Sequence, residues 1–134
     1  MRRLSIALAA VLATAVAGCG TATSSEQDFE GDEADVAQVV EDLEESATED
    51  APRRVCTALL ATTVTRELGS GCTQAVERAF DDADSPALSV ADVRITGDRA
   101  RARIKTGRDE DAEEFLELVR ESGDWRIARF AGAG

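Results

Sequence analysis

The chain predicts an α+β domain in which N-terminal helices pack on a curved antiparallel sheet. Three observations predict it. Apolar residues recur at helical spacing between residues 32 and 83, and apolar and charged residues alternate between residues 88 and 130. Two Gly-Asp dipeptides, Gly97-Asp98 and Gly123-Asp124, punctuate the second stretch as turn signals. Helices followed by a run of strands is the α+β order.

Met1 to Gly18 reads as a signal segment and not as part of the fold. Arg2 and Arg3 make a basic start, and Leu4 to Val16 is apolar but too short for a permanent membrane span. Val16-Ala17-Gly18-Cys19 resembles the bacterial lipobox, in which small residues precede a Cys that is lipidated and becomes residue one. Cleavage after Ala15-Val16-Ala17, as in ordinary secretion, is the alternative. Lipidation at Cys19 predicts a membrane partner, through a lipid anchor at the extracytoplasmic face of the cell membrane.

The cysteine count fits that reading. The chain has three, Cys19, Cys56 and Cys72, and an odd thiol is awkward in an exported protein. With lipid on Cys19, Cys56 and Cys72 remain as a pair in an oxidising compartment, and a disulfide between them is expected. Two buried free thiols are the alternative. No metal site is expected, because two Cys without His or CxxC spacing supply too few ligands.

Residues 19 to 31 are small, polar and acidic, and read as a flexible tether. From Glu26 to Asp50 there are twelve acidic residues and no basic one, whereas residues 51 to 134 hold fifteen acids and thirteen bases. The net charge of −12 is therefore carried by one region. An acidic arm is repelled by anionic head groups and argues against a nucleic-acid partner.

The domain proper spans residues 32 to 134. Its first helix begins near Asp32 or Asp35, either of which suits an N-cap, and buries Val36, Val39, Val40, Leu43 and Ala47. It stops before Pro52, which fits the first turn of a second helix carrying Val55, Cys56, Leu59 and Leu60. Thr62, Thr63 and Thr65 predict that this helix does not continue, and Gly69-Ser70-Gly71 is a break. A third helix over 73–83 buries Cys72, Val76, Ala79 and Phe80.

The sheet follows. A two-residue turn at Gly97-Asp98 pairs Thr96 with Arg99, Ile95 with Ala100, Val93 with Ala102 and Asp92 with Arg103. Val93, Ile95, Ala100, Ala102 and Ile104 then share one face, and Arg94, Arg99, Arg101, Arg103 and Lys105 the other. Leu88 and Val90 are out of phase, which predicts a bulge near Ala91-Asp92. For the second turn the pairing of Glu121 with Trp125, Val119 with Ile127 and Leu116 with Phe130 is preferred over Ser122 opposite Trp125. The acidic run Asp109-Glu110-Asp111 lacks an EF-hand pattern and reads as an exposed loop.

The helix Val55-Cys56-x-x-Leu59-Leu60, the second cysteine at Gly71-Cys72, the hairpin Val93-x-Ile95-x-Gly97-Asp98-x-Ala100 and the ending Leu118-Val119-x-x-x-Gly123-x-Trp125-x-Ile127 occur in that order. Together they resemble the NTF2-like (cystatin-like, SnoaL-type) superfamily, in particular its small actinobacterial lipoproteins, over about residues 33 to 131. The resemblance implies a cone-shaped α+β fold with a pocket between helices and sheet.

Enzymes of that superfamily use an Asp or His base with Tyr, Asp or His donors, and this chain has no His and no Tyr. A carboxylate base is what remains, and Asp92 is the candidate if the bulge turns it toward the pocket. The alternative places Asp92 on the wet face opposite Arg103. No Ser/His/Asp or Cys/His set exists without His, and no phosphate loop motif is present. No cofactor is expected. Residues expected to line a pocket are Leu59, Val76, Phe80, Val93, Ile95, Ala102 and Trp125. The arginine face is the one concentrated basic feature. The expectation is a non-catalytic, lipid-anchored binding or accessory module for a small hydrophobic ligand or an envelope protein partner. The alternative is a small pocket enzyme with a carboxylate base acting on a hydrophobic substrate.

Overall fold

The computed structural model describes residues 29–83, 87–106 and 109–132. The signal segment, Cys19 and most of the tether lie outside the described residues. Helix α1 (Asp32–Thr48) buries Val36, Ala37, Val39, Val40, Leu43 and Ser46. Ser46, fully enclosed, donates its hydroxyl to the Asp42 carbonyl at 2.7 Å, which is how a polar residue is accepted there. Neither Asp32 nor Asp35 caps the helix. Gly31 occupies the N-cap with φ 60, and the acids fill the first turn, where they suit the dipole.

Helix α2 (Pro52–Arg54) runs straight into a π turn, Val55–Leu59. Arg54 fastens it to α1, with Glu45 at 2.9 Å and Asp42 and Glu49 each at 3.8 Å. The hydrogen bond to Glu45 raises the Arg54 guanidinium above its ordinary value, so it stays charged throughout the accessible pH range. Leu60 is extended and forms a parallel bridge to Ile127, after which the Ala61 N–H donates to the Ile127 carbonyl at 2.8 Å.

A further helix then forms where the threonines predicted none, α3 (Thr62–Leu68). Its first turn is held from afar. The Glu121 carboxylate accepts from the Thr62 N–H at 2.7 Å and from the Thr62 hydroxyl at 3.1 Å. Gly69–Gly71 is a single 3₁₀ turn that leads into α4 (Cys72–Asp82). Helix α4 buries Cys72 and Val76, with Phe80 half-buried; Ala79, expected inside, is exposed. Cys56 and Cys72 form a disulfide, Cα to Cα 6.2 Å, tying the π turn to the start of α4.

Four antiparallel strands follow in sheet order β1 (Leu88–Thr96), β2 (Arg99–Thr106), β3 (Asp109–Glu121) and β4 (Asp124–Gly132). The first hairpin has the expected register throughout, with the irregularity between Val90 and Asp92. The second does not. Its loop is Ser122-Gly123, pairing Glu121 with Asp124, Arg120 with Trp125 and Leu118 with Ile127. Ser122 and Gly123 both take positive φ, 51° and 88°, as a type I′ turn requires. A register shift between Glu117 and Leu118 restores Leu116 opposite Phe130. The acidic residues from Asp109 open β3 and are not a loop.

The core lies between the helices and one face of this sheet. Leu116, Leu118, Ile127, Val36, Val40 and Val55 are its largest fully buried members. Phe29, just ahead of α1, packs against it. Fully burying each such side chain is worth about 1.5–3 kcal/mol, which makes this interface the main source of stability.

Candidate functional site: the cationic outer face of the sheet

Residues directly paired across strands share a face. The inner face therefore collects Val93, Ala100, Ala102, Ile104, Leu116, Leu118 and Ile127, all buried. The outer face is the reverse. Arg94 stands opposite Arg101, Asp92 opposite Arg103, Arg101 opposite Glu117, and Glu117 opposite Arg129. Phe115 stands opposite Arg103, and Arg99 opposite Val119. The alternation of β2 predicts its share of this set. Phe115, Glu117 and Arg129 were not anticipated. The signal for them was the period-two pattern of Phe115, Glu117 and Val119 against Leu116 and Leu118.

Two shallow hollows open on this face. One, of about 380 Å³, is lined by Asp92, Arg94, Arg101, Arg103 and Phe115. The other, of about 340 Å³, includes Arg94, Arg99, Arg101 and Glu117. Arg94 and Arg101 belong to both. The Arg101 guanidinium lies over the Phe115 ring, 4.0 Å from its centroid, a cation–π contact that restrains the side chain. Asp92 holds the Arg94 Nε at 3.3 Å. Asp92 thus sits on the outer face with the arginines, and the bulge does not turn it toward the core.

The seven residues expected to line an inner pocket come together, but as members of the packed core. Leu59, Val76, Val93, Ala102 and Trp125 are buried there, with Phe80 and Ile95 half-buried against them. Leu59 and Trp125 also reach a third hollow of about 340 Å³, between α1, the π turn and the β3–β4 turn, whose lining includes Asp35, Asp42 and Asp124. Arg126, also in the lining, donates to the Ala58 carbonyl of the π turn. Arg120 lies 4.6 Å over the Trp125 ring and reaches Asp32 at 2.7 Å, while its buried Nε finds no hydrogen-bond partner among the described residues.

Among the described residues no cluster of His, Cys, Asp and Glu is arranged to hold a metal ion, and no helix is long and apolar enough to cross a membrane.

No protein-family model matches the chain, and no curated protein matches it. Among solved structures it is similar to an NTF2-like protein of unknown function from Shewanella baltica OS155, a crystal structure at 1.75 Å resolution. The identity is 16%, the match covers 69% of this chain and 88% of that one, and the TM-score is 0.37.

Proposed function

We propose that the chain is an NTF2-like binding module that works without catalysis, held at the extracytoplasmic face of the membrane by lipid on Cys19, and that the outer face of its sheet takes an anionic partner. The observation that carries the reading is the pairing of Arg94 directly with Arg101, flanked by Arg99 and Arg103, in a chain of net charge −12. Like charges directly opposed across a sheet are destabilising, and sequences keep such a cost where function needs it. The catalytic alternative needs a carboxylate base beside an apolar pocket. Asp92 instead lies ion-paired on a polar face, and the chain lacks His and Tyr.

The test uses the charge of the molecule against itself. A protein this acidic is held by an immobilised polyanion only through a local cationic face. The full chain in neutral detergent is expected to be retained on polyglutamate at moderate salt and released as salt rises. Arg99→Glu with Arg101→Glu and Arg103→Glu is expected to flow through while melting normally. Wild-type flow-through, or retention unchanged by the three substitutions, would overturn the reading.

A further inference from the structure

Resting on the anionic-partner reading, we propose that the hollow between Arg94, Arg101 and Arg103 is a site for a phosphate monoester or inorganic phosphate. A carboxylate has two oxygens and one charge. It satisfies the Arg101 fork well and leaves the opposed Arg94 with Asp92 on its Nε alone. A phosphoryl group offers three or four oxygens and up to two charges, which suits two forks facing across one register position. Arg101 already rests over the Phe115 ring, 4.0 Å from its centroid, so less rotamer freedom is lost when its donors engage. The hollow, at about 380 Å³, admits a small organic phosphate.

Asp92 gives the site its discrimination. It lines the same hollow while holding Arg94 at 3.3 Å. An ionised carboxylate only accepts hydrogen bonds. Near neutral pH inorganic phosphate keeps at least one proton and a phosphate monoester carries one on part of its population, and that P–OH donates to Asp92. Sulfate and phosphate diesters carry no such proton and meet Asp92 as a like charge. The site therefore selects a monoester or free phosphate over sulfate and over the diester of a phospholipid head group.

The experiment is a thermal-shift titration of the full chain in neutral detergent at fixed ionic strength. The probes are inorganic phosphate, glycerol 3-phosphate, sulfate and dimethyl phosphate, the last standing for a lipid diester. Phosphate and sulfate both stabilise proteins by general exclusion, so the difference between them is the quantity read. Either phosphate or glycerol 3-phosphate is expected to give a saturable rise in Tm, as ligand binding to the native state requires. Whichever of the two binds at the lower concentration identifies the source. Sulfate and dimethyl phosphate are expected to be weaker by about tenfold or more, a difference of about 1.4 kcal/mol. Arg101→Gln and Arg94→Gln are each expected to weaken phosphate by about tenfold without lowering the melting point of the unliganded chain. Asp92→Asn is expected to abolish the preference over sulfate. Equal response to phosphate and sulfate, or a phosphate response unchanged in both arginine variants, overturns the assignment. Polyglutamate retention without any phosphate response removes the phosphate site alone; loss of both removes the anion-binding role of the cationic face as well.

Discussion

Opening the Cys56–Cys72 bridge is expected to cost this domain more than any single surface interaction. The bridge spans a sequence separation of 16 residues. On the chain-entropy account, closing such a loop in the unfolded chain is worth about 3 kcal/mol. The closed segment is anchored at its start by buried Leu59, Leu60 and Ala61, and its second half is held more lightly. Helix α3, inside the loop, fully buries no residue; half-buried Val64 packs against the core, and the Ala61 bond to Ile127 and the Glu121 grip on Thr62 hold its start. For a domain of about 100 residues each kcal/mol moves Tm by about 4–8 °C, so Cys56→Ala with Cys72→Ala is expected to lower Tm by about 12–24 °C. The assay is thermal unfolding of the oxidised full chain, the double variant, and wild type in reductant. Non-reducing peptide mapping confirms the bond in the first. Amide exchange is expected to quicken most in α3, since local stability follows buried contacts. A drop below about 3 °C, with the bond mapped in wild type, would refute the loop-entropy reasoning. Freely alkylated thiols in the native exported protein would refute the bridge.

Further outcomes follow from single positions. Cys19→Ser is expected to release the protein from the membrane fraction or leave the signal uncleaved, by fractionation and intact mass; a processed variant still in the membranes would dismiss the anchor. Leu116→Ala, at 0% exposure, is expected to cost about 2–5 kcal/mol in denaturant unfolding. Ser122 holds φ 51 in the β3–β4 turn, so Ser122→Gly is expected to gain about 0.5–1 kcal/mol, read as a higher urea midpoint. Asp32→Asn removes the 2.7 Å partner of Arg120 and a first-turn charge of α1. With Asp32 about half exposed, the expected loss is only about 0.5–1 kcal/mol, and less at high salt.

The first hairpin was legible because two independent signals agreed. Gly97 supplies the one positive φ of its turn, and Val93, Ile95, Ala100 and Ala102 alternate cleanly with arginines. The second hairpin misled because Gly123-Asp124 imitates the first, while a serine takes the left-handed position ahead of the glycine. The compensating irregularity sits near Ala128, a residue that gives no pattern of its own. Helix α3 was illegible for a different reason. Its threonines favour other conformations, and the carboxylate that caps it comes from Glu121, 59 residues away. The arginine face was visible strand by strand. What was missing was β3, whose Phe115 sits where it meets Arg101 and whose Glu117 stands between Arg101 and Arg129.

The acid-rich helix and the arginine-rich sheet face do not cancel one another. Helix α1 packs its apolar stripe on the inner face of the sheet, with Asp32, Glu33, Asp35, Glu45 and Glu49 exposed. Packed layers lie about 10 Å apart. The Debye length at physiological salt is about 8 Å. Acids beyond the far layer are therefore largely screened from an ion resting on Arg94 or Arg101. Among the described residues, Asp92 and Glu117 share the outer face with these arginines and act on it at close range. Net charge then describes how the whole molecule repels anionic surfaces from afar, and the outer face describes what it holds once in contact. A small anion, which feels the short range, is favoured over an extended anionic surface, which meets the long-range field of the acidic helix first.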